Sequence, residues 1–152
     1  MTHPSVLEGH LGYWLRKLSN QLSGAFAARA EKYGVSVAGW VVLQVLFDHD
    51  SLPLKDIVSR VGVDQGALSR MVDRLMARGL VTRKESSTSR REVAISLTEA
   101  GRKLVPTLAQ EADENDRVHF NHLSARQRAE LLSTIRTLIS LNQGDSGAHP
   151  IN

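Results

Sequence analysis

The sequence has no cysteine and few aromatic residues: two tryptophans, two tyrosines and three phenylalanines. Without cysteine the chain can form no disulfide, and it offers no zinc-thiolate site, thiol nucleophile or thiol redox switch. It also lacks the run of about 20 apolar residues that spans a bilayer, and its first ten residues have neither the basic start nor the apolar core of a signal peptide. We therefore expect a soluble, cytoplasmic protein with no membrane partner.

Sequence motifs of enzymes are absent as well. The chain contains no glycine-rich phosphate loop and no Gly-x-Ser-x-Gly nucleophile elbow. A small enzyme using the histidines and the acidic run at 111–116 is the alternative, but it would have no nucleophile and no closed ligand set. Asp116, His119 and His122 have a weak metal-ligand spacing, which is better explained as a solvated helix end. We predict no enzyme, no cofactor and no metal site, and a metal-responsive regulator stays open as an alternative.

The charge is small overall but unevenly distributed. The formal net charge is +3. Residues 55–103 contain eleven Lys and Arg against six Asp and Glu, or +5, and the remaining residues contain eight against ten, or −2. A concentrated basic excess is the electrostatic footprint expected of a surface that binds nucleic acid.

The centre of the chain has the pattern of a helix-turn-helix. Pro53 suits the first position of a short helix that Gly62 stops, and Asp64 is placed to cap the next helix after only one further residue. Apolar residues recur at helical spacing along that second helix, which Gly79 ends; they are Leu68, Met71, Val72, Leu75 and Met76. The polar face left outward makes this helix the candidate for insertion into a DNA groove.

Two strands are predicted to follow the helix-turn-helix. The first covers residues 80–84, and the second, 92–97, alternates Val93, Ile95 and Leu97 inward against polar or small residues outward. The polar segment 85–91 between them ends in Arg90 and Arg91 and reads as a hairpin tip. The fold class is therefore mainly α with a small β-hairpin wing, a winged helix-turn-helix.

Long helices flank this domain. An N-terminal helix follows the apolar period from Leu7 to Phe26, Ser36 caps a second helix, Thr98 caps a long helix, and Ser124 with Gln127 forms a capping box for the last. The flanking helices have more apolar surface than a small winged helix can cover, so we expect them to pair with a second copy of the chain. The predicted organisation is 1–35 and 99–143 for dimerisation, 36–98 for DNA binding, and 144–152 as a disordered tail.

In this order the motifs resemble the MarR family of winged helix-turn-helix transcriptional regulators. The residues that resemble it are DQGALSRMVDRL at 64–75, RGLV at 78–81, the arginine pair at 90–91 and LTEAG at 97–101. Two departures occur. Ser89 stands where the family usually has an aspartate that anchors the wing arginines, and Gly66-Ala67 stands where it often has two hydroxyl residues.

The residues assigned to double-stranded DNA lie on the second helix of the helix-turn-helix and at the wing. Arginine and glutamine present bidentate hydrogen-bond patterns to base edges, and arginine also contacts phosphates. The solvated helix face and the exposed hairpin are the alternatives for these positions. The predicted DNA-binding residues are Gln65, Ser69, Arg70, Arg74, Arg90 and Arg91.

The resemblance implies a homodimeric regulator, most often a repressor, which a small, frequently aromatic ligand releases from DNA. It also implies that the ligand lies between the dimerisation helices and the DNA-binding lobe. We assign Tyr13, Trp14, Arg16 and Trp40 as candidate ligand-binding residues, with core packing or a salt bridge as the alternative for each. A winged-helix protein-interaction module that never contacts DNA is the rival from another functional class.

Overall fold

The computed structural model of the chain describes residues 4–85 and 93–143. The chain divides into two compact units, Met1–Asn115 and Asp116–Asn152. After a 3-10 turn at Leu7–Gly9, the elements within the described residues are α1 (Leu11–Glu31), α2 (Val37–Phe47), β1 (Leu52–Pro53), α3 (Leu54–Val61), α4 (Gln65–Ala77), β2 (Val81–Glu85), β3 (Val93–Leu97), α5 (Glu99–Phe120) and α6 (Ala125–Gln143). The predicted mainly helical winged helix-turn-helix is confirmed. The tail predicted at 144–152 lies outside the described residues.

The predicted helix starts are confirmed by their caps. Each of four side chains accepts a hydrogen bond from the backbone N–H three residues on, at 2.9–3.2 Å: Ser36, Asp64, Thr98 and Ser124. Gln127 completes the predicted capping box, because its Oε1 accepts the Ser124 backbone N–H at 2.9 Å. These short-range bonds place the first turns of α2, α4, α5 and α6.

The start of α3 differs from the prediction. Pro53 precedes the helix, with φ −58° and ψ 147°, and the helix begins at Leu54. Leu52 and Pro53 instead form the short strand β1, which pairs antiparallel with β3 at Ile95 and Ala94. Proline has no N–H to donate, and β1 is an edge strand of the β1-β3-β2 sheet, where such a residue is tolerated.

The alternation predicted for β3 is wrong. Ala94, Ile95 and Ser96 are all buried, whereas Val93 is exposed. Consecutive strand residues point to opposite faces, so both faces of β3 are covered at its centre. β3 lies between β1 and β2 and pairs with β2 along its whole length and with β1 at Ala94 and Ile95.

The hydrophobic core of the unit Met1–Asn115 contains side chains from its helices and from its sheet. Leu43, Ile57, Leu68, Ile95 and Leu108 are completely buried, and they come from α2, α3, α4, β3 and α5 in turn. Such close-packed contacts between elements hold α4 in place from beneath. The apolar stripe predicted on α4 is confirmed for its centre, and it is wrong for Met76, which lies at the edge of the stripe and is exposed.

The end of α4 is tied to the start of α5 through backbone groups. The Thr98 backbone N–H donates to the Leu80 carbonyl oxygen at 3.0 Å, and the Thr98 hydroxyl donates to the Gly79 carbonyl oxygen at 2.6 Å. Gly101 lies so close to the segment that joins α4 to β2 that a Cβ atom built on it would be 2.1 Å from the Leu80 carbonyl oxygen. The glycine of LTEAG is therefore required by packing against backbone.

None of the helices in the described part of the chain is both long and apolar enough to cross a membrane.

Candidate nucleic-acid interface

The outer face of α4 presents the residues predicted to contact DNA. Gln65, Arg70 and Arg74 are exposed and Ser69 is partly buried, while the opposite face of the helix enters the core. The Asp64 cap fixes where α4 begins, and the buried stripe fixes its rotation about its own axis. Together they direct one polar face outward on a rigid helix.

The charges on this face are almost entirely positive. Within the described chain, Arg70, Arg74 and Arg78 have no ion pair with an acidic side chain. Asp73 is the acidic residue in this helix, and its carboxylate accepts a hydrogen bond at 2.8 Å from the Arg83 guanidinium of β2. This pair neutralises the negative charge beside the arginines and links α4 to the first strand of the wing. This contact of Arg83 was not predicted from the sequence.

Gly66 marks a tight place in the first turn of α4. A Cβ atom on Gly66 would lie 3.2 Å from Asp64 Oδ1 and 3.5 Å from Arg70 Nη1. The contact with Asp64 is the tight one, whereas 3.5 Å is an ordinary van der Waals distance. The Arg70 guanidinium thus extends back along the helix toward Gly66, and the crowded group at this position is the Asp64 cap.

Arg78 belongs to the same basic surface and was not among the predicted site residues. Its Nη2 donates to the Tyr33 carbonyl oxygen at 3.5 Å, across the turn between α1 and α2. Its spacing of four residues from Arg74 is the signal that places both on one side of α4. What the sequence does not show is the contact with the turn, which is 45 residues away along the chain.

A partly buried network supports that turn. Arg29 Nη1 donates to Glu111 Oε2 at 3.0 Å, and the Tyr33 hydroxyl donates to Glu111 Oε1 at 3.3 Å. The hydrogen bond from Arg29 holds the pKa of the Glu111 carboxyl below its usual value, although burial opposes it. Burial, together with the adjacent Glu111 charge, raises the pKa of Tyr33. The network joins Arg29 of α1 and the Tyr33 side chain to Glu111 of α5, and the carbonyl oxygen of the same Tyr33 accepts from Arg78.

This network predicts a pH-dependent stability. A carboxyl whose pKa is lower in the folded state contributes stability that is present above its unfolded pKa of about 4.3 and is lost as the pH falls through the folded pKa. Relative to Glu111→Gln, the wild-type protein should unfold at a higher urea midpoint at pH 7, and this difference should shrink as the pH falls below about 4.3. Glu130→Gln, which breaks only an exposed pair with Arg126, is the control and should change little at either pH. A difference for Glu111→Gln that does not vary with pH would contradict the assignment.

The wing arginines cannot be placed in the same way. Arg90 and Arg91, and Ser89 before them, lie outside the described residues. Their assignment to DNA stays a prediction.

The four candidate ligand-binding residues do not form one cluster within the chain. Tyr13 and Trp14 pack edge to face, with ring centroids 5.1 Å apart. Trp40 instead packs against Phe26, with ring centroids 6.1 Å apart. Phe26 is thirteen residues beyond Tyr13, about 20 Å along α1. Arg16 is exposed on α1.

The Trp14 ring is held at the start of α1. Its indole N–H donates to the Glu8 carbonyl oxygen at 2.8 Å, and the Lys17 ammonium lies 5.5 Å from the centre of the ring. Trp14 nevertheless remains about half exposed. Within the described ranges 4–85 and 93–143, no group of three or more histidine and acidic side chains is placed to hold a metal ion.

Apolar residues on α1 and on α6 are left without a covering layer. On α6 no residue is buried, and five apolar side chains on one face of the helix are 38–54% exposed: Leu131, Leu132, Ile135, Leu138 and Ile139. On α1 the exposed apolar residues also share one face: Leu11, Trp14, Leu15 and Leu18. Exposed apolar stripes of this extent mark contact surfaces.

Comparison with known proteins points to one family of regulators. Residues 35–93 match the model of the MarR family. The organic hydroperoxide resistance transcriptional regulator of Bacillus subtilis is 32% identical over 95 residues, which are 62% of this chain and 65% of that protein. The chain thus spans just under two thirds of that relative. The HTH-type transcriptional repressor NicR of Pseudomonas putida is 27% identical over 140 residues, which are 92% of this chain and 89% of NicR.

A solved structure matches over nearly the whole chain. The protein is BpsR of Bordetella bronchiseptica, described with the regulation of its DNA binding by 6-hydroxynicotinic acid. The TM-score is 0.82 at 26% identity, with 90% of this chain and 97% of that chain covered.

Proposed function

Because the chain belongs to the MarR family of winged-helix transcriptional regulators, we propose that it is a homodimeric repressor that binds operator DNA through α4 and releases it on binding a small aromatic acid. Proteins of this family are DNA-binding regulators and not enzymes. The observation that supports the DNA surface best is the row of arginines on the outer face of α4, none of which forms an ion pair with an acidic side chain in the described ranges 4–85 and 93–143.

The fixed positions of the exposed side chains on α4 suit the recognition of bases in a DNA groove. A helix that is anchored by buried residues beneath and capped at its start presents side chains at fixed positions, which is what base recognition needs. Arg70 and Gln65 lie in the first half of the helix, the part that reaches base edges in helix-turn-helix proteins. Arg74 lies one turn further on, and we assign it to a phosphate.

The homodimer is supported by the uncovered apolar faces of α1 and α6. A second copy of the chain would bury both faces and would bring a second α4 to the DNA, matching two half-sites about 34 Å apart. We accordingly assign dimerisation to 1–35 and 99–143 and DNA binding to 36–98.

Two proteins similar to this chain support the proposed repressor role and the proposed release by a ligand. NicR is named as a repressor, and BpsR has its DNA binding regulated by 6-hydroxynicotinic acid. A ligand releases DNA when it favours a dimer whose two α4 helices no longer match the half-site spacing. Titrating the DNA complex with 6-hydroxynicotinic acid tests this part, and an unchanged DNA affinity at saturating ligand would exclude that acid as the effector.

Arg70→Ala tests the assignment of α4 to bases. We expect the affinity for operator to fall about 10- to 100-fold for each half-site, because a base contact contributes roughly 1–3 kcal/mol. The affinity for scrambled duplex should fall much less, so that sequence discrimination is lost. Fluorescence anisotropy with both duplexes measures the two effects.

Arg126→Ala is the matched control, since it removes the same charge from α6, where Arg126 pairs with Glu130. It should leave both affinities nearly unchanged. Equal losses on operator and scrambled duplex for Arg70→Ala would show that Arg70 contacts only phosphates.

A further inference from the structure

A small cleft lies between α4 and the turn that joins α1 to α2. Its volume is about 180 Å³. The residues that shape it include Gly34, Ser36, Gly39, Met71, Arg74 and Arg78. Arg74 belongs both to the outer face of α4 and to this cleft, so the cleft adjoins the proposed DNA surface.

The cleft is positively charged. Two arginines border it and no acidic residue does. The Ser36 hydroxyl already accepts the Gly39 backbone N–H at 3.0 Å, which leaves its own hydrogen available to donate to an oxygen in the cleft. Three donor groups from two separate elements therefore border the same small space.

The position of Arg78 depends on Gly34. A Cβ atom on Gly34 would lie 1.9 Å from Arg78 Nη2 and 2.0 Å from its Cζ. Gly34 also has φ 70°, a conformation that other residues rarely adopt. The glycine thus lets the turn form and leaves space for the guanidinium beside it, where Arg78 Nη2 is 3.5 Å from the Tyr33 carbonyl oxygen.

We propose that this cleft binds one phosphate of the DNA backbone, beside the bases read by α4. The proposal rests on the proposed function and adds a contact outside the predicted site. A cleft of this size suits a single phosphate group, whereas sites for whole small-molecule ligands usually have about 300–1,000 Å³. Guanidinium groups bind phosphate through directed, charge-assisted hydrogen bonds.

The salt dependence of DNA binding tests the phosphate contact. Each phosphate neutralised adds about 0.9 to the slope of log K against log salt. In Arg78→Gln the slope should therefore fall by about 1.8 for a dimer, with the ratio of operator to scrambled affinity unchanged. Gly34→Ala keeps the charge but displaces the guanidinium, so it should lower the slope in the same direction. Arg126→Gln is the control and should keep the wild-type slope.

The results of these experiments distinguish a failure of the phosphate site from a failure of the proposed function. An unchanged slope in a folded Arg78→Gln protein would overturn the phosphate site, and the proposed function would stand if Arg70→Ala still lost discrimination. Loss of discrimination in Arg78→Gln would also overturn it, since it would make Arg78 a base-reading residue. Absence of DNA binding by the wild-type protein would overturn both proposals.

A second measurement separates the DNA backbone from a free anion. The wild-type protein is titrated with inorganic phosphate in the absence of DNA, and chemical shifts of the Gly34 and Gly39 amides are followed. Weak binding that is not saturated at about 10 mM agrees with a site completed by the DNA. Tight binding of phosphate alone, abolished in Arg78→Gln while the DNA salt slope is unchanged, would identify a free-anion site and overturn the proposal.

Discussion

Replacing Ile135 and Ile139 with aspartate should convert the protein to a monomer and weaken operator binding about 10²- to 10⁴-fold. Both side chains lie in the exposed apolar stripe of α6, and burying two carboxylates against a partner would cost far more than the stripe contributes. A monomer contacts one half-site only, so it loses the gain from binding two linked sites at once. Sedimentation equilibrium gives the mass, and anisotropy gives the affinity.

Ser133→Asp with Thr137→Asp is the matched control for this pair. It adds the same charge to the same helix, on the face opposite the apolar stripe. We expect a dimer with wild-type operator affinity. Because no residue of α6 is buried, both double variants should keep the helical content of the protein. A dimer that survives the Ile135 and Ile139 changes would contradict the proposed interface.

Gly101→Ala should lower the free energy of unfolding by about 3 kcal/mol or more, which is a large part of the 5–15 kcal/mol typical of a domain. The added methyl group would meet the Leu80 carbonyl oxygen at 2.1 Å. That oxygen is backbone and already accepts the Thr98 N–H, so it cannot move without breaking the link between α4 and α5. Urea unfolding measures the change.

Gly24→Ala is the control for this substitution, since a Cβ atom on Gly24 would have nothing within 4 Å. It should not destabilise the protein, because alanine is the better helix former by about 1 kcal/mol. Similar urea midpoints for Gly101→Ala and wild type would show that α5 can shift away from Leu80 at little cost.

Features set by residues close in sequence could be predicted. The caps at Asp64 and Thr98 and the stops at Gly62 and Gly79 depend on bonds and backbone angles within a few residues. The outer face of α4 followed from the helical period alone, because the buried residues of a helix also determine which residues point outward.

Features set by distant contacts were missed. The strand β1 is two residues long and exists because β3 lies beside it. β3 is buried at three consecutive positions and not at alternate ones because β1 lies along one of its edges and other parts of the chain cover both of its faces. A period within one strand contains no information on what covers its other face.

In the candidate site, too, features set by nearby residues could be predicted and features set by distant contacts were missed. Arg70 and Arg74 were predicted from spacing, whereas the role of Arg78 depends on a turn 45 residues away. Tyr13 and Trp14 lie near the start of α1, whereas Trp40 lies on α2 and packs against Phe26, about 20 Å further along α1. The contact between Phe26 and Trp40 joins two different helices, and no spacing within either helix predicts it.

The most direct test of the central claim is fluorescence anisotropy of the wild-type protein with duplex DNA from upstream of its own gene, measured against scrambled duplex across a salt series. We predict tight binding that selects the upstream duplex and weakens steeply with salt, with a slope of about −5 or steeper, as six or more phosphate contacts require. Equally weak binding to both duplexes, with a shallow slope, would contradict the claim that the arginine face of α4 is a sequence-reading DNA surface.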